Sequence, residues 1–541
     1  MTPRDGPAAG DRTTRRPDGS VHLVEVGRYA SGEFAADAAE ILAHDPETDY
    51  LFVVNAEAGG VDVLAIDDPG TPAKVETLSL SEAWDGAGEV NNVAHDDGLL
   101  AVATNAADPQ DPGRVVFFDA RDLTARGSAK VGAMPDMVTF HPEGERVLVA
   151  CAAEPDEDWE RDPPAAVAVV DASDPDDPTA EVVDFTALDG RENELRERGV
   201  RLFGPGDHNE IRASRNVQPE YLTLSGDGRT AYVVLQPNNA IAVLDVEARE
   251  WTDVHPLGAK DHRRPGNELD ASDADGGVCV RNWPVYGMYQ PDAAALYEAD
   301  GEEYLVTANE GTRRDDPGYS EVARVGDLDL DPDAFDLSTV AGVDSVADLA
   351  RPENLGNLTV TTERGDVDGD GRFEDLYSFG GRSFAIWTTD GDLVYDSGAA
   401  FELLVAMHHP GYFNADGLDN EPLARSTDMG PEPEGIALGE VDGRTYAFVG
   451  LERIASLVVY DVTDPRRPRF AQYLNARDFD VDPEDDIGSG PREASAAGDL
   501  GPEGVTFVDG EASPLDDPLV AVGNELSGTT TLYRVRSTGG E

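Results

Sequence analysis

Apolar residues fall along this chain in short runs, alternating or continuous, each closed by a turn of Asp, Gly, Pro or Asn. Five of these runs open on a proline followed by an acid: Pro135-Asp136 before 137–140, Pro219-Glu220 before 221–224, Pro291-Asp292 before 293–296, Pro433-Glu434 before 435–438 and Pro502-Glu503 before 504–507. Glu40 before 41–43 and Asn91 before 92–94 fit the same place more loosely, which makes seven copies. After each opening comes a turn, a second apolar strand ending near Asn or Glu, another turn, and a third strand ending in Asp. The fourth copy shows it plainly, with 230–235 followed by 240–245. Short strands punctuated by turn residues predict an all-β chain with little helix.

The openings at 40, 91 and 136 are spaced close to the ~40–50 residues of a four-stranded propeller blade. Longer gaps elsewhere hold insertions near 189–217, 255–288, 311–377, 397–431 and 478–500. The seventh copy supplies three strands before the chain ends, so the run 21–26 is free to complete it and leave no open sheet edge. The expectation is a seven-bladed β-propeller closed by its N- and C-terminal strands, with six and eight blades as the neighbouring alternatives. It forms one domain over 19–541, after a disordered polar tail at 1–18.

Composition changes the picture in one respect. The formal net charge is -68, from 109 acids against 41 bases, and Lys74, Lys130 and Lys260 are the only lysines. Acids spread over the whole length point to a saline solvent and a halophilic source, because at molar salt the Debye length falls to roughly 3 Å and self-repulsion is screened. Nucleic acid is excluded as a partner, since it requires clustered positive charge. Two cysteines, Cys151 and Cys279, make neither a disulfide framework nor a CxxC metal site. No apolar stretch follows Arg15-Arg16, and none approaches the ~20 residues of a membrane span, so the chain as written is expected to be soluble and cytoplasmic.

In a propeller the first strand of each blade lines the central channel. Glu40, Asn91, Asp136, Glu220, Asp292, Glu434 and Glu503 are therefore expected to face one another as a ring of oxygen ligands at one mouth. Two carboxylates about 6 Å apart repel by roughly 3 kcal/mol at an effective dielectric near 20. A hard cation such as calcium would compensate them; the alternative is a wide, wet mouth that salt screens. Asn55 with Glu57, Asn309-Glu310, Glu452-Arg453 and Asn524-Glu525 follow second strands, either as a second rim or as strand-end caps.

The sharpest local motif is Asp366-Val-Asp368-Gly-Asp370-Gly-Arg372-Phe-Glu374-Asp375, with acids at loop positions one, three and five, a turn glycine at six and a carboxylate near nine. That is the ligand order of a calcium loop, with Tyr377 where an EF-hand has its last Glu and Glu374 or Asp375 in its stead. Asp270, Asp273 and Asp275 make a weaker copy. His208, His262 and the pair His408-His409 offer acid–base or metal chemistry, or are turn bystanders. There is no HExxH, P-loop, GxGxxG after a strand or GxSxG elbow.

The order of several motifs resembles the choice-of-anchor I domain family. Lys260-Asp-His262, Asn282-Trp-Pro-Val285, Thr307-Ala-Asn-Glu-Gly311, the 365–371 loop, Ser378-Phe-Gly-Gly-Arg382, Gly430-Pro-Glu-Pro-Glu-Gly435, Gly501-Pro-Glu-Gly504 and Gly523-Asn-Glu-Leu-Ser-Gly-Thr529 carry the resemblance from about 21 to 536. It implies a β-propeller, exported or surface-attached, with calcium. Family members labelled alkaline phosphatase imply a second reading, a metal-dependent phosphate-ester hydrolase with its site at the channel mouth. There Arg313, Arg382 and Arg453 would hold phosphate and His262 would act as acid or base. The first reading is a calcium-dependent module that binds a surface or partner without turnover.

Overall fold

The computed structural model describes residues 21–206 and 210–537. The tail assigned to 1–18 and His208 lie outside these residues.

Seven four-stranded antiparallel sheets account for most of the fold. The third is typical: Pro135–Phe140, Arg146–Cys151, Ala166–Asp171 and Thr179–Asp184 pair in chain order, and the middle strands are buried on both faces. Those middle strands read as unbroken Val, Leu and Ala runs because neither of their faces meets water. The fourth strand of the sheet carries exposed Thr and Glu, as an outer edge must.

Innermost strands of successive sheets lie side by side. Leu42–Asp45 meets Ala87–Asp96, which meets Pro135–Phe140; then follow Pro219–Leu224, Ala294–Ala299, Pro433–Val441 and Pro502–Val508, and the last lies against Leu42–Asp45 again. The Thr506 hydroxyl donates to the Leu42 carbonyl at 2.9 Å across this last junction. A separate apolar core fills the space between each sheet and the next. Each sheet thus buries both faces against its neighbours, which is how a β-propeller satisfies strands that are apolar on both sides. No sheet closes on itself among the described residues.

The seventh sheet is built from both ends of the chain, with Val21–Ala30 paired antiparallel to Thr529–Ser537 outside Leu519–Asn524 and Pro502–Val508. The insertions carry structure of their own. Segments from 255–288 and 311–377 join in one five-stranded sheet over a small core containing Trp283, Leu349 and Leu376. In it Tyr286–Met288 runs parallel to Tyr377–Ser378. Helix Glu192–Arg198 and helix Ala400–His408 occupy two other insertions.

Candidate metal centre

The Pro-acid pairs encode β-bulges. Pro135 pairs with Cys151 and Met137 with Ala150, leaving Asp136 unmatched. Register shifts at Glu220, at Glu434-Gly435, at Glu503-Gly504 and at Asn91 repeat the pattern. At Glu40 the amide donates to the Val54 carbonyl while the Val54 amide donates to Ile41, so two residues face one; Asp292 and Ala293 face Ala308 in the same way. A bulge turns the extra side chain out of the ladder. Seven inner strands thereby turn an oxygen-bearing side chain out at the same place.

These side chains converge. Asn91, Asp136, Glu220, Asp292 and Glu503 line one cavity of about 330 Å3, together with apolar groups such as Tyr221 and Ile436. Glu434 joins them through Asp292: one oxygen from each of Asp292, Glu310 and Glu434 lies within 4.8 Å of the others. Burial first, and then like charge, from Asp292 on Asp136 and from Asp136 on Glu220, pushes both well above the carboxylate range. Burial raises Glu434 and Glu503 as well, with Glu310 and Asp292 adding to the first and Glu525 and Glu40 to the second. Glu40 is pushed up to about 9 by burial, with Asp37, Glu525, Glu89 and Asp136 adding to it, and burial raises Asp292 to about 6. Glu220 Oε2 and Glu434 Oε2 are buried and accept no hydrogen bond. The Gln236 side-chain amide donates to Glu310 at 2.8 Å and reaches Asp292 at 3.5 Å.

Asn91 is the neutral member, for a visible reason. Its amide donates to the Pro135 carbonyl at 2.9 Å and to Asn105 Oδ1 at 3.1 Å, tying two inner strands together as no carboxylate could. Gly435 follows its acid because a Cβ there would fall 1.8 Å from the Glu503 carbonyl oxygen of the adjoining strand.

The second rim divides. Asn55 and Asn524 cap strand ends, accepting from the Ala58 amide and donating to the Thr529 carbonyl. Glu57 is exposed. Glu310, Glu452 and Glu525 instead stand near the inner acids, each raised chiefly by burial, with Asp292 adding to Glu310, Glu432 to Glu452 and Asp37 to Glu525. A second trio, Glu310, Glu432 and Glu452, also brings its oxygens within 4.8 Å of one another. Glu432 was not singled out from sequence, although it stands two residues before Glu434. Its backbone is left-handed, with φ 50°, as are those of Met134 and Gln290 before the corresponding prolines.

His262, Arg313, Arg382 and Arg453 do not line the cavity. His262 is 2% exposed, packs against Gly287, and holds Nδ1 2.6 Å from the Asn267 carbonyl; burial and the nearby Lys260 lower it to about 3. Arg382 is spent on Glu402 at 2.8 Å and on the carbonyls of Asp270, Ser426 and Asp428. Arg313 pairs with Asp428, and Arg453 with Glu432 at 2.7 Å and Glu452 at 2.6 Å. A phosphate clamp made from these arginines would have to break every one of these pairs. His408 stacks on Tyr473 with ring centres 5.0 Å apart, and His409 lies 5.1 Å from Phe479, so aromatic packing occupies that pair.

In the 366–375 loop, Asp366, Asp368, Asp370 and Glu374 each place an oxygen within 4.8 Å of the others. Asp366 accepts from the amides of Gly369, Asp370 and Gly371, and Glu374 from that of Val367. Gly369 and Gly371 take positive φ of 77° and 89°, which lets the chain turn this tightly. Asp375 stands outside the quartet, and the Arg372 guanidinium pairs with Asp370 and Asp331. Asp270, Asp273 and Asp275 do not gather: Asp270 turns inward to the amides of Ser272 and Cys279, and Asp273 accepts from Asn357.

Residues 40–465 match the family model described as the choice-of-anchor I domain. The mesenchyme-specific cell surface glycoprotein of Strongylocentrotus purpuratus is 29% identical over 292 residues, 48% of this chain and 36% of that protein. Gigasin-3a of Magallana gigas is 29% identical over 191 residues, 34% of this chain and 65% of that protein. The chain thus matches about a third of the length of one and just under two thirds of the other. Among solved structures, a chain of Kuenenia stuttgartiensis hydrazine synthase is similar at 13% identity and TM-score 0.44, over 94% of this chain and 99% of that one. The beta-propeller domain of Myceliophteria thermophila Cps50 (Swd1) gives 9% and 0.43, over 96% and 100%.

Proposed function

Because the chain belongs to the choice-of-anchor I domain family, we propose that it is a seven-bladed propeller, closed by its two terminal strands, that holds calcium among its inner acids and serves as a binding or surface-associated module. The observation that carries this is the meeting of Asp292, Glu310 and Glu434, with Glu220 Oε2 and Glu434 Oε2 buried and unpaired. Calcium–oxygen distances of about 2.3–2.6 Å allow ligand oxygens around one ion to stand up to about 5 Å apart, so oxygens as close as those of the trio can share one ion. An all-oxygen set favours a hard cation over zinc or copper. Magnesium keeps most of its water and is usually bound through one or two carboxylates, so a gathering of three favours calcium.

The Asp366, Asp368, Asp370 and Glu374 loop is proposed as a second, outer calcium site. The surface role takes support from the name of the sea-urchin relative. The saline setting takes support from acids spread over the whole chain. Phosphate-ester hydrolysis gains no support, since the guanidinium groups proposed for it are paired with acids.

Calcium titration of chelator-stripped protein, by calorimetry and terbium luminescence, tests both sites. Glu434→Gln with Glu503→Gln is expected to abolish uptake at the inner centre and spare the loop, and Asp366→Ala with Asp368→Ala to do the reverse. Unchanged uptake by a folded Glu434→Gln, Glu503→Gln protein would sink the inner site. Calcium-dependent turnover of p-nitrophenyl phosphate would overturn the non-enzymatic reading.

A further inference from the structure

Glu310 belongs to two trios of carboxylates, and they differ in one respect. Asp292, Glu310 and Glu434 have the neutral Gln236 amide beside them, whereas Glu310, Glu432 and Glu452 have a guanidinium. We infer that Arg453 is a built-in cation standing where a second metal ion would bind, so that the inner centre takes one ion instead of two. The inference rests on the calcium reading proposed above and goes beyond it, to what sets the number of ions.

Glu432 is fully buried and Glu452 is 5% exposed. Carboxylates so placed either keep a proton or take a cation within hydrogen-bond reach, and these two have a cation beside them. Arg453 Nε meets Glu432 Oε2 at 2.7 Å and Nη1 meets Glu452 Oε1 at 2.6 Å, while Arg425 Nε takes the other oxygen of Glu432 at 2.9 Å. The guanidinium therefore bridges the two acids much as an ion would. The trio is also fixed by its backbone, for the Glu452 amide donates to the Glu432 carbonyl at 2.9 Å. With Glu432 and Glu452 held by arginine, Glu310 is left to serve Asp292 and Glu434. The Arg453 side chain is 24% exposed, so its removal would open the second trio to ions from solvent.

The test uses the whole chain carrying Asp366→Ala and Asp368→Ala, so that the outer loop adds no calcium. Arg453→Gln is expected to bind one more calcium per chain than this parent, by equilibrium dialysis and terbium luminescence. Arg453→Lys, which keeps the charge, is expected to bind no more than the parent. An Arg453→Gln protein with the parent's count overturns the inference. If Arg453→Gln does not fold in chelator, the count is taken on protein refolded in calcium, where one ion more than the parent supports the inference and the parent's count overturns it. A parent that binds no calcium at all refutes the proposed function instead, so the two failures are distinguishable.

Discussion

Glu40 shows what the interior does to a carboxylate whose nearest charged neighbours are other acids. Its proton is held up to about 9, chiefly by burial. From the ordinary carboxylate value up to pH 9, the folded chain keeps a proton that the unfolded chain has lost. Stability is therefore highest below that window, falls as pH rises through it, and levels off above 9. Melting temperature in chelator is expected to drop steadily between pH 5.5 and 8.5, with Glu40→Gln flattening the slope; an identical slope in that variant refutes the assignment. Gly435 is a steric matter. Gly435→Ala would set a methyl 1.8 Å from the Glu503 carbonyl oxygen, and forcing two inner strands apart is expected to cost about 1–3 kcal/mol, read as a lower urea midpoint. Five of the acids were legible in sequence because each follows a proline at a fixed place in a repeat, and Glu40 by its place alone. Glu432 was not, since nothing in the repeat marks it and its partners Arg425 and Arg453 come from separate segments.

Among the elements, the bulged inner strand does the most. One extra residue per strand breaks the ladder and turns an acid out. The closing sheet depends on Val21–Ala30 covering the edge of Thr529–Ser537. Removing residues 1–30 exposes that edge and uncovers Val520 and Tyr533 beside it. The truncated chain is expected to lose its single cooperative melting transition and to aggregate, and an unchanged transition would refute the closure. The strands of the repeats were readable from apolar runs, and 230–235 and 240–245 are strands in the structure. The five-stranded sheet was not readable. Its strands are two or three residues long, too short for a period, and Tyr286 pairs with Tyr377 across a long stretch of chain.

For the molecule as a whole, a formal charge of -68 opposes compaction, and the inner acids escape part of that repulsion by keeping their protons. Melting temperature is expected to rise between 0.1 and 1 M KCl. A small amount of calcium is expected to add a further rise that KCl does not reproduce, because screening reaches the surface charges and coordination reaches the buried ones. No helix among the described residues is long and apolar enough to cross a membrane. By itself the sequence determined the repeating four-stranded unit, the acid or amide that opens each inner strand and the outer acidic loop, because these are local patterns of turn chemistry and strand periodicity. Only the tertiary structure decided which acids meet, which arginines are already spent, and that two distant insertions share a sheet. Those outcomes depend on distances between segments far apart in the chain, and no local pattern encodes such distances.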